Sequence, residues 1–528
     1  MVKPGHPSSV GSPRSLTGWF TSGLGAAPDR AALRIGQREY TYAEVDECAR
    51  TWAGTLLAAC GGELGAVGVL ASRTPGSYVG ILAALFAGAT VVPLNPGFPP
   101  ERTIATARAV PVSAVITDQN GLPAAAALHQ ALPDLPIMTV QEGPGPSPSP
   151  VPGALAPDPG SALDEARPAA PSDVAYILFT SGSTGRPKGA QITQANMDHF
   201  LNVNQARYSC QQDDVFSQTF DQTFDLFMFD LFMAWGCGAT LVSTPPHVFV
   251  DLPRFAEREG LTIWFSVPNA ISLVRRRGGL SSGSMPSLRL SLFCGEPLRG
   301  DDAADWHTAA SESVVENLYG PTELTIACSA HRWSPSEPAA QQVNGIVPIG
   351  SMYPGLDYLL ADGDFPVPAE GELCVTGPQM FPGYLDPIEN VDRFLRLDGR
   401  LWYRTGDRVR ELPGGELAYL GRTDQQIKIR GYRVEPYEIE AVLRAHPAVL
   451  DAVAVRVLQH EGPAIAAFHT GGPVSEVALA THLRASIPEF MVPRWFWHLD
   501  ALPVNANRKT DRAELASLAH RYLAGGGQ

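Results

Sequence analysis

Residues 176–189 read YILFTSGSTGRPKG: an apolar run passes into a loop of glycine and hydroxylated residues that closes on Pro187, Lys188 and Gly189. An apolar run of this length that ends in turn residues predicts a buried strand. Glycine lets the backbone bend until successive N–H groups face one point, and such a concavity binds anions. Gly182 and Gly185 supply the bends, Thr180, Ser181, Ser183 and Thr184 add hydroxyl donors, and Lys188 adds positive charge. The loop does not end in Gly-Lys-Ser/Thr and is not GxGxxG, so it is neither of the two common nucleotide loops. The competing reading is a Ser/Gly linker. The buried-type strand before the loop and the Pro-Lys-Gly end after it argue for the phosphate cradle.

The same alternation of strand and helix extends outward from this loop. Upstream, TYAEVDECARTWAGTLLAA (41–59) opens with Thr41 and, three residues on, Glu44, a capping box ahead of an amphipathic helix. AVGVLAS (66–72) and the run from Val91 read as strands, and GSYVGILAALFAG (76–88) between them as a helix. That alternation predicts an α/β sheet covered on both faces. Residues 141–172 are rich in Pro, Gly and Ser and read as a flexible surface segment, either a domain boundary or a long loop. Downstream of AYILFT (175–180), strand–helix alternation is expected to continue to about residue 420. A compact tail follows: EIEAVLRAH and EVALATHLRASIP read as helices, AVLDAVAVRV and AIAAFHT as strands. The expected fold is therefore α/β, with a large N-terminal domain over 1–423 and a small mobile α+β domain over 424–528.

Composition narrows the function classes. A chain of 528 residues is too long for one ordinary domain. With 45% hydrophobic and 18% charged residues it is globular, and a net charge of −15 argues against a nucleic-acid partner. Its seven cysteines (48, 60, 210, 237, 294, 328 and 374) form no CxxC pair, so neither a zinc site nor a disulfide framework is indicated. The N-terminus has no apolar signal core, and the run from Ile81 to Leu94 is too short and interrupted to span a membrane. The expected location is the cytoplasm.

The 176–189 loop resembles the signature of the adenylate-forming superfamily: acyl-CoA synthetases, luciferases and the adenylation domains of non-ribosomal peptide synthetases. The resemblance covers nearly the whole chain, in the family's order. It takes in VPLNPGFPPER (92–102), the loop, NLYGPTE (317–323), GELCVTGPQMFPGYL (371–385), YRTGD (403–407), GRTDQQIKIRGYRVEPYEIE (421–440) and NANRKTDR (505–512). It implies ATP and Mg²⁺ as cofactors, and attack of a carboxylate on the α-phosphorus with loss of pyrophosphate. Both reactants are anions, so catalysis is mainly positioning and charge neutralisation.

The resemblance implies a role for each motif residue. The loop residues Thr180 to Gly185 and Lys188 would hold the β- and γ-phosphates, with Gly295, Glu296, Asn317 and Gly320 also on the ATP side. Glu323 would hold Mg²⁺, Thr322 would contact the α-phosphate, and Tyr319 would lie against adenine. Asp407 would accept both ribose hydroxyls, with Arg422 in support. Lys509 would reach between carboxylate and α-phosphate; here the family's Asn-Gly-Lys reads Asn507-Arg508-Lys509. Asp424 fits the hinge about which the tail domain would rotate between half-reactions, bringing IKIRGYR (427–433) to the tunnel for a thiol.

The segment FDQTFDLFMFDLFMAWGCGATL (220–241) is similar to the stretch that holds an aspartate for the substrate's α-ammonium group. FD occurs at 220–221, 224–225 and 229–230, and the spacing to GATL favours Asp225; an N-cap at a helix start is its other reading. Motif position carries over Leu226, Phe229, Asn269, Leu292, Cys294, Leu318, Ile326 and Ala327 as the remaining pocket residues. No member of that set neutralises a charged side chain, and Phe229, Leu292 and Leu318 leave a shallow cavity. The expected substrate is a small amino acid: alanine first, then Ser, Cys or Gly. FCGEPL (293–298) is similar to D-alanine–carrier protein ligases, although Cys294 also reads as ordinary packing. No carrier domain is visible in the sequence, so the expected acceptor is the phosphopantetheine thiol of a carrier protein in trans. The alternatives are an acyl- or aryl-CoA ligase of the same fold, which a buried Asp225 disfavours, and a non-catalytic nucleotide-binding scaffold, which Lys188, Glu323, Asp407 and Lys509 disfavour.

Overall fold

A computed structural model describes residues 13–141, 151–181, 187–337, 342–423, 426–429, 431–459, 462–503 and 510–524. The chain divides into two compact units. The first holds 1–96, 107–178 and 189–423; the second holds 424–528 together with 97–106 and 179–188.

Two large sheets dominate the first unit. One orders its strands Ile137–Thr139, Val112–Thr117, Ala66–Leu70, Thr90–Leu94, Val174–Thr180 and Lys188–Thr193. The second runs, among the described residues, to nine strands. Leu290–Phe293, Ile263–Ser266, Val215–Gln218 and Thr240–Ser243 lie at its parallel centre. Val314–Tyr319 continues it in parallel beside Leu290–Phe293, before the antiparallel strands Ser329–Arg332 and, at the edge, Ser351–Met352. Strands such as Ala66–Leu70, Ile263–Ser266 and Leu290–Phe293 are buried at every residue, as expected where helices cover a sheet.

The helices Leu16–Ala26, Tyr42–Ala59, Pro75–Phe86 and Asp225–Gly236 share one hydrophobic core. The expected capping box is present, with Thr41 Oγ1 accepting from Glu44 N and Thr41 N donating to Glu44. Helix Asp225–Gly236 is apolar all round and buried along its length, as a helix enclosed by other elements should be. Its end is locked by Trp235 Nε1 donating to Ala32 O at 3.0 Å. Gly23 permits the close approach there, since a Cβ would stand 1.8 Å from Trp235 O.

One sequence expectation is corrected and another is narrowed. Strand–helix alternation does not run to residue 420. Beyond Ser329–Arg332 the described residues form strands and short 3₁₀ turns with no α-helix before Pro436–Arg444. The strands Asp357–Asp362, Phe365–Val367, Glu370–Thr376, Phe394–Leu397, Arg400–Glu411 and Leu417–Arg422 pair antiparallel in a third sheet. Glycine turns at Gly363, Gly399, Gly414 and Gly415, all with positive φ, make hairpins where helical crossovers were expected. The described part of 141–172 is mostly exposed, and of its two readings the long loop inside one unit is the one observed. It lies inside the first unit, with Val151 buried and Leu155, Leu163 and Ala166 packed on the core. Leu163 N donates to Arg50 O and Arg167 N to Phe86 O. Gly54 makes room, because a Cβ there would stand 1.7 Å from Ser161 O.

In the second unit, Val449–Gln459 pairs antiparallel with Gly462–Gly471, and Trp495–His498 adds in parallel. Helices Pro436–Arg444 and Glu476–Arg484 pack into one apolar cluster and Arg512–Ala524 into another. Arg512 joins them by a bidentate pair to buried Glu440 at 2.6 and 2.8 Å, the strongest geometry for such a pair.

Candidate active site

The helix Asp225–Gly236 places Asp225 at its first residue; Phe224 is the N-cap, without a side-chain cap bond. Asp225 is therefore not the N-cap that its other reading required. Its carboxyl is buried, and burial pushes its pKa up to about 6. Hydrogen bonds from the Thr322 hydroxyl and the backbone at 225–226 act the other way, and the nearby Glu323 carboxylate raises it further. The two other FD aspartates behave differently. Asp221 is a turn residue, accepting from Asn95 Nδ2 at 2.8 Å and Thr223 N at 3.0 Å. Asp230 is fully buried and neither carboxyl oxygen has a partner among the described residues.

Behind Asp225 the pocket residues carried over from sequence lie on neighbouring elements. Leu226 and Phe229 belong to the same helix, Leu292 and Leu318 to adjacent strands, and Asn269 starts the helix Asn269–Arg276. Phe229 is gripped edge-on by Phe265 at 5.2 Å and Phe200 at 5.7 Å, contacts worth about 0.5–1.5 kcal/mol each beyond burial. Cys294 is buried, and it stands close enough to Cys328 to raise that thiol's pKa beyond the effect of burial.

Glu323 is fully buried in the short 3₁₀ turn Thr322–Leu324. Its carboxylate accepts from the Tyr384 hydroxyl, and its backbone carbonyl from Phe381 N at 3.0 Å. A single carboxylate fits Mg²⁺, which takes hard oxygen ligands, keeps several waters and takes phosphate oxygens from its substrate. The described residues contain no cluster of three or more metal-ligating side chains, so a resident all-protein cage is absent among them.

On the nucleotide side, Asp407 accepts from Tyr319 Oη at 2.6 Å and from Arg422 at 3.0 Å, with a further N–H bond from its own backbone to Thr405. These contacts fix the carboxylate and leave lone pairs for a diol. Tyr319 thus contributes its hydroxyl to the same carboxylate. Burial holds that hydroxyl far above its ordinary pKa, with Asp407 adding to the rise, so it stays a donor. Gly320 is obligatory, since a Cβ would stand 2.5 Å from Ala327 Cα. Gly295 has φ +92°. Glu296 accepts from Asn269 N, while the Asn317 amide donates to the carbonyls of Val347 and Pro348 and so braces the backbone.

In the second unit Lys188 is buried, Ser181 Oγ donates to Arg433 O at 2.7 Å, and Thr180 Oγ1 has no partner among the described residues. Gly182, Ser183, Thr184, Gly185, Asp424 and Lys509 lie outside the described residues.

Sequence reasoning assigned no role to Tyr384, Gln379 or His199. All three are buried, and Gln379 hydrogen-bonds both His199 and the 324–327 turn. Tyr384 and Gln379 lie in GELCVTGPQMFPGYL, the one signal that pointed toward them.

Comparison with known proteins agrees with this geometry. The family model "AMP-binding enzyme" matches residues 21–385, and "AMP-binding enzyme C-terminal domain" matches 438–509. An L-proline--[L-prolyl-carrier protein] ligase of Pseudomonas fluorescens is 35% identical over 68% of this chain and 71% of its own length. The crystal structure of IdnL7 superposes with TM-score 0.75 at 47% identity, covering 97% of this chain and 99% of that one. The Vibrio cholerae adenylation domain AlmE, in complex with glycyl-adenosine-5'-phosphate, superposes with TM-score 0.83 at 28% identity, covering 98% and 99%. The chain spans at most 45% of the length of the peptide synthetases and synthases that it matches. Its sheets, the buried Asp225 and Glu323 carboxyls on either side of Thr322, and both family matches place the chain in the AMP-binding enzyme family.

Proposed function

We propose that the chain activates a small amino acid, alanine first and Ser, Cys or Gly next, as its aminoacyl-adenylate and hands it to the phosphopantetheine thiol of a carrier protein supplied in trans. The observation that carries this reading is Asp225: a buried carboxylate, hydrogen-bonded by Thr322, at the start of a helix that also carries the apolar Leu226 and Phe229. A buried carboxylate favours a cationic partner and penalises a plain acid. The relatives support the same class, since one is a carrier-protein ligase for proline and another was crystallised with a glycyl-adenylate.

In the first half-reaction a substrate carboxylate oxygen attacks the α-phosphorus of ATP, the bond to the β-phosphate breaks, and pyrophosphate leaves. Asp225 orients the ammonium group, and Asp407 with Tyr319 and Arg422 orients the ribose. Thr322 and Glu323 face the phosphates, and Glu323 would hold Mg²⁺, which supplies charge neutralisation there when bound. Lys509 is assigned to the charge that builds between carboxylate and phosphorus. In the second half-reaction the carrier thiolate attacks the acyl carbonyl and AMP leaves, with Asp424 as the hinge between the two states.

The test is amino-acid-dependent exchange of labelled pyrophosphate into ATP, run over the proteinogenic amino acids, D-alanine and a set of aryl and fatty acids. A signal with one small amino acid supports the proposal. A signal only with acids that lack an ammonium group overturns it in favour of a CoA ligase.

A further inference from the structure

We propose that Gln379 is a positioning residue that sets the size limit of the acyl pocket by holding a strained turn at Ile326. The inference rests on the reading of Ile326 and Ala327 as pocket wall.

Thr325 and Ile326 both have positive φ, +59° and +72°. Ala327 N donates to Thr325 O at 2.9 Å. That three-residue ring with a central φ of +72° is the rare, strained form of the γ-turn. A β-branched residue is especially unsuited to it. Such a turn persists only when its surroundings over-determine it.

Gln379 supplies the constraint. It is fully buried, and its amide nitrogen donates to Leu324 O at 3.0 Å and Ala327 O at 2.7 Å, with Thr325 O at 3.4 Å between them. The turn is therefore held on both flanks by one side chain. The Gln379 backbone carbonyl accepts from Thr325 Oγ1 at 2.7 Å.

Acceptors on the nitrogen side fix the amide's orientation, so Oε1 is the atom 3.2 Å from His199 Nδ1. Burial lowers the His199 pKa, while its contacts with the Gln379 amide and the Pro354 carbonyl act the other way. The ring has no room to retreat: a Cβ on Gly355 would stand 2.9 Å from Nε2. Asn196 Nδ2 donates to Pro378 O at 2.7 Å and Met380 O at 3.2 Å, anchoring the 378–380 backbone to the helix Gln194–Tyr208. His199 and Asn196 are thus the footing, Gln379 the strut, and Ile326 the part held in place. Without the amide, the Leu324 and Ala327 carbonyls lose their donor, the turn relaxes to negative φ, and the Ile326 side chain leaves its position in the wall.

The test uses the full chain with Gln379→Met, which keeps the volume and removes the donors. Pyrophosphate exchange is measured with alanine and with larger aliphatic amino acids, alongside the KM for ATP. The expected result is a KM for alanine at least tenfold higher, a KM for ATP within twofold, and a kcat/KM ratio of valine to alanine at least tenfold higher. An unchanged ratio, or equal rises in both KM values, overturns the inference. A purely structural role would not split the two constants. Ile326→Gly provides the second arm, because glycine accepts φ +72° without strain. In that background Gln379→Met should lower the melting temperature by less than a third of what it does alone; an equal drop overturns the inference. Should Gln379→Met fold only with Ile326→Gly, the inference is supported, and failure to fold in both backgrounds overturns it. Wild-type silence toward every amino acid sinks the adenylation reading alone, since the melting experiment still decides the strut.

Discussion

Asp225→Asn should make the free protein more stable and a poorer enzyme at once. In the unfolded chain this carboxyl ionises near its ordinary 3.8, and in the folded protein near 6, chiefly because it is buried. Between those values the folded state binds more protons than the unfolded one. Stability therefore falls as pH rises from about 4 to about 6 and stays at the lower level at pH 7. At about 1.4 kcal/mol for each pH unit, the whole effect is about 3 kcal/mol. Asparagine keeps the acceptor for Thr322 and the backbone and has no proton to lose. It should remove this carboxyl's share of the slope, leaving that of Asp230, and stabilise the protein at pH 7 by up to about 3 kcal/mol. For a bound amino acid the change is opposite, because the ammonium group loses a buried partner, a loss of about 3–4 kcal/mol. That corresponds to a fall in kcat/KM of about 10²- to 10³-fold. Thermal melts from pH 4 to 8 read the first effect. Pyrophosphate exchange with an amino acid and with its 2-hydroxy-acid analogue reads the second, since the preference between the two should shrink by a similar factor. A lower melting temperature at pH 7 combined with unchanged amino-acid kinetics would refute the argument on both sides.

Three further perturbations separate the parts of the site. Asp407→Asn removes the charge beside Arg422 and one carboxylate oxygen of the group that Tyr319 donates to, the group proposed to hold the ribose. It should raise the KM for ATP about 10- to 100-fold, as expected for losing hydrogen bonds to a charged group, with the amino-acid KM within about twofold; a rise in the amino-acid KM of similar size would contradict the assignment. Lys509→Ala should lower exchange turnover by at least about 10²-fold while leaving nucleotide affinity nearly intact. Equal losses in rate and in affinity, measured by exchange and by nucleotide titration, would remove its transition-state role. Asp230→Asn should flatten the fall in melting temperature with rising pH, because burial holds the Asp230 pKa well above its ordinary value. Exchange activity should be unaffected, and a loss of amino-acid use would mean that this aspartate and not Asp225 meets the substrate.

Much of the fold was legible wherever local chemistry decides it. Thr41 and Glu44 announce a helix because each satisfies the other's backbone donor, and the structure has that box. The run before Ser181 announces a buried strand because nothing polar interrupts it, and Val174–Thr180 is that strand. The misreadings fall where the deciding contact is remote. The stretch 141–172 reads by composition as a flexible surface segment, yet in its described part Leu155 and Leu163 find the core and Gly54 clears a path for the backbone at Ser161. The antiparallel sheet over 357–422 was read as more α/β because short apolar runs fit either architecture, and the glycine hairpins carry the distinction. In the site, Tyr384 reaches Glu323 across 61 residues, and Gln379 acts through carbonyl groups. Neither the direction of a carbonyl nor the sign of φ at Ile326 is written in a side-chain pattern.

The dipeptide Phe-Asp occurs three times within eleven residues, and the structure gives each aspartate a different fate. Asp221 lies before the helix, where free backbone N–H groups and Asn95 satisfy it, so it shapes a turn. Asp230 lies inside an apolar helix, reaches no donor among the described residues, and is pushed toward its neutral form. Asp225 lies at the helix start, where helical backbone donors and the Thr322 hydroxyl offset its burial only in part. Full satisfaction would leave a carboxylate with nothing to gain from a ligand, and none at all would leave it neutral. Partial satisfaction leaves it ionised at pH 7 at a cost in stability, a cost that an ammonium group would offset on binding. Spacing along the chain favoured Asp225, and this graded supply of donors supports the same choice.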